Sequence, residues 1–241
     1  CSSKSTALDT HPFRIELTDN HYIVGDSHDG NGPAYVFLHG LGSARIGEKS
    51  ESLREHALTR NRSFLRFDMR GHGESSGELG EVAVTALISD TIRVLEDLGS
   101  SILIGSSLGG LVATHVAAAR PDLVNRLALL APAFGLMPTL RQRLDQDGRM
   151  KIGETIDFHV EADVLADAEQ LDERTLSARL KVPTLLVHGT KDEVIPQIVS
   201  ELFFAQMTYE HKQLWIVPDG DHRLNTVAQQ IWQRIDELPL G

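Results

Sequence analysis

Cysteine is the scarcest chemistry-bearing residue in this chain: Cys1 is the only one among 241 residues. No intrachain disulfide can form and no thiolate metal site can be built, so the fold must rest on its apolar core. Long apolar runs are also missing. None approaches the about 18 residues of a helical membrane span. Basic charge is in deficit, with 23 Lys and Arg against 34 Asp and Glu and a net charge of −11. That balance argues against broad binding to nucleic acid or to anionic membranes. The 11 histidines show neither H-x-x-x-H nor H-E-x-x-H spacing, so no metal site is expected. An initial Met is absent as well. Cys1 followed by Ser2-Ser3-Lys4-Ser5-Thr6 would suit a mature bacterial lipoprotein, but no signal peptide precedes it. The expectation is a cytoplasmic protein, with a lipid anchor on Cys1 as the alternative.

What is present is an alternation of buried strands and helices. Apolar residues make up 41% and charged residues 24%, close to globular averages. Phe13 to Leu17 and Tyr22 to Val24 read as a hairpin, and Gly30-Asn31-Gly32-Pro33 as a turn. Strands are expected at Ala34 to His39, Ser63 to Asp68, Ser101 to Gly105, Leu123 to Leu130, Pro183 to His188 and Lys212 to Val217. Helices are expected at Glu48 to Thr59, Val84 to Leu98, Leu111 to Ala119, Gln197 to Gln206 and Asn225 to Leu238. Continuous apolar strands in β-α alternation predict a parallel sheet covered on both faces, and residues 1–241 one α/β domain.

The rhythm stops between Phe134 and Leu180. This stretch holds 10 acids and 6 bases and is too long for a plain connection. It predicts a small helical lid over 134–180, inserted after the sixth strand, with helices at Thr139 to Leu144 and Asp163 to Leu171. Its apolar residues, among them Phe134, Met137, Met150 and Phe158, are candidate substrate contacts, together with Gly40.

Five motifs carry chemistry. Gly105-Ser106-Ser107-Leu108-Gly109 stands between an apolar strand and a helix, the setting of a nucleophile elbow. The sharp turn lifts the Ser107 hydroxyl clear of the sheet and aims the first helical N–H groups at it. His39-Gly40-Leu41-Gly42 follows an earlier strand, where the N–H of Leu41, with that of Leu108, would hold a developing oxyanion. Phe67 to Ser75 reads as a tight structural loop, with Arg70 and Asp68 paired or bonding backbone. His188 to Pro196 places Asp192 just beyond a strand's carboxyl end, where open α/β sheets put their sites. Val217 to His222 places a histidine in the loop after the last strand.

A serine hydroxyl needs an imidazole to take its proton and a carboxylate to orient that imidazole. Only His211 and His222 lie beyond Asp192. His211 precedes the last strand, at the wrong end of the sheet, so His222 is the expected base. Asp192 is preferred to Glu193 as the carboxylate because of its place after Gly189.

In this order the five motifs closely resemble the α/β-hydrolase superfamily, in its small-lid serine-hydrolase branch. The resemblance runs from Ala34 to Leu238 and leaves only the lid unmatched. It implies an α/β fold with an eight-stranded, mostly parallel sheet flanked by helices, a Ser107–His222–Asp192 triad and no cofactor. Gly105 to Gly110, the short lid and His222-Arg223 are similar to the palmitoyl-protein thioesterase branch and to small feruloyl-type esterases. The activity expected is hydrolysis of a small carboxylic ester or acyl thioester. Haloalkane dehalogenases are excluded, since they carry Asp where this chain has Ser107. Carbon–carbon bond hydrolases, aminopeptidases and perhydrolases share the triad and stay open as alternatives, as does a low-turnover ligand sensor.

Overall fold

The computed structural model describes residues 10–239, apart from the side chains of Asp19, Leu136, Met137 and Thr139. The expectations placed on Cys1 and on the Met137 side chain therefore lie outside the described residues.

Eight strands form one sheet, in the order β1 (His11–Glu16), β2 (Tyr22–His28), β4 (Arg62–Phe67), β3 (Asn31–Leu38), β5 (Ser101–Ser106), β6 (Val124–Leu130), β9 (Thr184–Gly189) and β10 (Lys212–Val217). The pairs β1–β2 and β2–β4 are antiparallel, and all other neighbours are parallel. Strand β5 lies between β3 and β6 in the middle of the sheet, and every residue in it is buried. Its side chains alternate between two cores: Leu103 packs into one, Ile102 and Ile104 into the other. Helices α1 (Glu48–Thr59) and α8 (Ala228–Glu237) close the face of Ile102. There Trp232 is fully buried, with its indole N–H donating to Ser52 Oγ at 2.9 Å. On the opposite face lie α2 (Val84–Leu98), α3 (Leu108–Ala119) and α7 (Gln197–Gln206). Helix α2 is held by Leu87, Thr91, Val94 and Leu95, a buried stripe at helical spacing.

Strand β3 begins at Asn31, inside the segment expected to turn. Asn31 pairs with Arg62 ahead of an irregularity that runs to Tyr35, which lets Pro33 sit in a strand without supplying a ladder N–H.

Residues 134–180 leave the sheet between β6 and β9, after the sixth strand. They are not purely helical, as expected, but mixed. Helix α4 (Leu136–Arg143) is followed by a hairpin of β7 (Arg149–Ile152) and β8 (Ile156–His159), then by α5 (Ala162–Gln170) and α6 (Leu176–Arg179). The hairpin closes over three residues that begin with Gly153 at φ +61°, a left-handed conformation glycine adopts without a Cβ penalty. The insertion is buried on the α2–α3 side through Leu140, Met150, Val160, Ala168, Leu176 and Leu180.

Candidate active site

The turn between β5 and α3 holds Ser107 at φ 55°, ψ −117°, a conformation that costs an L-residue free energy and persists only where its surroundings enforce it. Four backbone bonds do so. The Ser107 N–H donates to Leu130 O at 2.9 Å, and its carbonyl accepts from Gly110, Leu111 and Ala133. Two glycines make the turn possible by close approach. A Cβ on Gly105 would lie 2.2 Å from Gly109 O, and one on Gly109 would lie 2.4 Å from Leu38 O.

Gly40 abuts this serine: a methyl there would lie 3.2 Å from Ser107 Cβ and 3.8 Å from its Oγ. The turn carrying Gly40 and Leu41 is fixed by His39. Its Nε2 accepts the Met69 N–H at 3.0 Å, and its Nδ1 lies 2.9 Å from Gly40 O. Burial, with His72 close by, lowers the His39 imidazole to about 4 and keeps it neutral, as an acceptor nitrogen must be. Arg70 in the following loop pairs with Asp90 at 2.6 Å and not with Asp68. Asp68 bonds backbone, accepting from Arg45 N and Glu74 N, and also pairs with the Arg45 guanidinium.

Asp192 lies in the loop after β9, its side chain fully buried. Its Oδ1 accepts the N–H groups of Val194 and Ile195, each at 2.8 Å. Its Oδ2 receives two imidazoles, His222 Nδ1 at 2.7 Å and His188 Nε2 at 3.1 Å. Burial alone would raise this carboxyl, but the bonds from His188, His222 and Ile195 outweigh it and hold it well below the usual carboxylate range. Asp192 is thus a charged acceptor that fixes the proton of His222 on Nδ1 and leaves Nε2 as the basic nitrogen. The loops of Asp192 and His222 are stitched together by Thr190 N–H to Val217 O at 3.0 Å and Lys191 N–H to Gly220 O at 2.8 Å. His211, at the other end of β10, is 46% exposed and lies beside Glu210.

His188 is not among the residues that the motifs single out. It is fully buried at the end of β9, with Nδ1 at 2.7 Å from Ser200 Oγ and Nε2 at 2.9 Å from Ile195 O as well as near Asp192. Two acceptors at Nε2 require it to carry the proton. A polar residue closing an otherwise apolar strand, four positions before the expected carboxylate, was the available signal.

Ser107 and His222 open onto one cleft of about 880 Å³, with Gly40, Leu41, Leu108 and Met150 in its wall. Leu41, Leu108, Leu140 and Met150 also border a smaller recess of about 60 Å³, which Phe158 and Val160 line further in. The hairpin of the insertion reaches the turn of Gly40 to Gly42: a Cβ on Gly42 would lie 2.8 Å from Ile152 Cδ1 and 3.1 Å from Ile156 Cδ1. Glu161 N–H donates to Gly80 O at 2.9 Å, tying the insertion to the loop after β4. One expected contact is elsewhere. Phe134 is buried against α7, stacked on Phe203 with ring centroids 3.9 Å apart, and lines neither cavity. Its apolarity serves the core that anchors the insertion.

A family model described as "Uncharacterised protein family (UPF0227)" matches residues 34–238. The chain belongs to this family. It is 28% identical over 225 residues to the mitochondrial palmitoyl-protein thioesterase ABHD10 of Bos taurus, covering 87% of this chain and 74% of the relative. The human protein of that name is also 28% identical over 225 residues, with the same coverage. Among solved structures, the mouse alpha/beta hydrolase domain-containing protein 10 superposes with a TM-score of 0.81 at 25% identity, covering 94% of this chain and 99% of that one. Est1E from Butyrivibrio proteoclasticus, solved with ferulic acid, gives a TM-score of 0.80 at 19% identity over 92% of this chain and 98% of its own. The fold is that of the α/β-hydrolase superfamily. No helix among the described residues is long and apolar enough to cross a membrane.

Proposed function

We propose that this protein is a serine hydrolase that cleaves a carboxylic ester or thioester through an acyl-enzyme. The observation that carries the reading is His222 held 2.7 Å from the buried Asp192 carboxylate, at the rim of the cleft onto which the strained Ser107 opens. Ser107 Oγ attacks the acyl carbon as Nε2 of His222 takes its proton. Asp192 stabilises the resulting imidazolium, and the N–H groups of Leu41 and Leu108 receive the oxyanion. His222 then returns the proton to the departing oxygen or sulfur, and water attacks the acyl-enzyme by the same path in reverse. The small apolar recess beyond Leu41 and Leu108 takes the acyl group, with Met150 and Phe158 as its lid-borne wall and residues 134–180 as the lid. The names of the ABHD10 relatives and of Est1E support ester or thioester chemistry.

The test is active-site labelling. A fluorophosphonate should attach to the wild-type protein at Ser107, and Ser107→Ala should abolish both labelling and hydrolysis of short p-nitrophenyl esters. Persistent labelling at Ser106 or Ser75 in that variant would sink the assignment.

A further inference from the structure

The cleft is electrostatically unlike the protein that surrounds it. Acids outnumber bases by 34 to 23 over the chain, yet the cleft is lined by Lys49, Arg143, Lys151 and Arg223 and by a single acid, Glu48. Glu48 is already engaged by the side-chain amide of Asn225. The four cations come from α1, the end of α4, β7 and the loop after His222, so no local sequence run explains their convergence. Among the described residues, neither Arg143 nor Arg223 forms an ion pair. Lys151 has only Asp157, at 3.8 Å. Lys49 Nζ donates to the carbonyl of Arg223 at 2.5 Å, which leaves two of its three N–H donors for other partners. Burial lowers this ammonium to about 8, Asp221 opposes the fall and Arg223 adds to it. Cations gathered in excess of their counter-charges in a partly enclosed cleft form a site for an anion.

Their position says which part of the substrate bears the charge. The departing group must lie beside His222 to receive its proton, and Arg223 follows His222 directly in the chain. The acyl side faces the apolar recess at Leu41 and Leu108. Building on the hydrolase reading above, we propose that the preferred substrates carry a phosphate or carboxylate on the leaving group, bound by Lys49, Arg143, Lys151 and Arg223. In the acylation step the Ser107 Oγ–acyl bond forms and the acyl–sulfur or acyl–oxygen bond breaks. The serine proton passes through His222 to the leaving atom, and the anion is released unchanged with its carrier.

Three thioesters of one short acyl group test this: coenzyme A (phosphates), glutathione (carboxylates) and N-acetylcysteamine (neutral). A charged contact is worth about tenfold, so kcat/KM should favour at least one anionic thioester over the neutral one by about that factor or more. The gap should narrow as salt rises, and Lys49→Gln/Arg223→Gln should reduce the anionic-to-neutral ratio. Preference for the coenzyme A ester alone identifies phosphate as the anion, and preference for the glutathione ester alone identifies carboxylate. Equal hydrolysis of all three overturns the proposal while the hydrolase reading stands. Hydrolysis of none of the three, with p-nitrophenyl esters also left intact, overturns both.

Discussion

On the proposed mechanism Ser107 is two things at once, a reactive group and a strained backbone position, and two substitutions separate them. Its φ of 55° with ψ of −117° lies outside even the left-handed helical well, so the conformation costs an L-residue of order 1–3 kcal/mol. Alanine keeps that cost and loses the hydroxyl. Glycine adopts the conformation without strain but gives up about 0.5–1 kcal/mol of extra chain entropy on folding. Ser107→Gly should therefore be about 1 kcal/mol more stable than Ser107→Ala, a rise of about 2–4 °C in Tm for a domain of this size. Both variants should lose about 10⁴–10⁶-fold in kcat. The assay is paired: calorimetric Tm and hydrolysis of a p-nitrophenyl ester, with wild type as reference. If Ser107→Gly melts at or below Ser107→Ala, the four backbone bonds around the turn do not hold strain, and the elbow is simply a relaxed loop.

Two further predictions test the recess and the buried imidazoles. Met150→Ala and Phe158→Ala should shift relative kcat/KM between acetyl and longer acyl esters by about 1–3 kcal/mol per lost contact, with the acetyl ester nearly unaffected. An equal effect on short and long esters in a chain-length series would remove both residues from the acyl pocket. On lowering the pH, His39 stays neutral in the fold to about 4 while its unfolded counterpart takes a proton near 6.5. The unfolded state then binds more protons across that window, so stability falls from pH 6.5 to 4, by on the order of 3 kcal/mol from His39 alone. His115, lowered by burial to about 4, acts in the same sense. The contribution of Asp192, whose carboxyl is depressed, persists above the ordinary carboxylate range and is lost as the pH drops below it. Urea midpoints measured from pH 7 to pH 4 should show the decline, and a flat profile would refute it.

Much of this molecule is readable without coordinates because its strongest signals are local. Helices α1, α2 and α7 and strand β10 coincide with their expected spans residue for residue, since capping, periodicity and bounding glycines act within a few positions. The elbow is legible because an apolar strand, a small-residue turn and a helix must meet there. The hairpin β7–β8 is a different case. Met150, Ile152, Ile156 and Phe158 alternate with Lys151 and Asp157, a period of two, but the run is short and set among acidic helix-forming residues. What settles it as a hairpin is contact with Gly42 and with the loop at Gly80, both distant in sequence. Phe134 fails in the same way: only the fold brings Phe203 against it. Apolar composition marks a residue for burial without saying in which cavity or against which partner.

Ser107 and His222, nucleophile and base on the proposed mechanism, occupy unequal ground. Ser107 follows β5, which has strands on both sides, whereas His222 follows β10, which pairs with β9 alone at the margin of the sheet. Opening of an edge strand costs less than global unfolding, and opening of β10 breaks the bonds from Thr190 and Lys191 and draws His222 away from Asp192, which follows the internal strand β9. On the proposed mechanism, catalytic competence then depends on the edge strand staying paired. A chain loosened at β10 alone would keep its central strands and an intact elbow while losing the means to activate the serine, a folded body with no turnover.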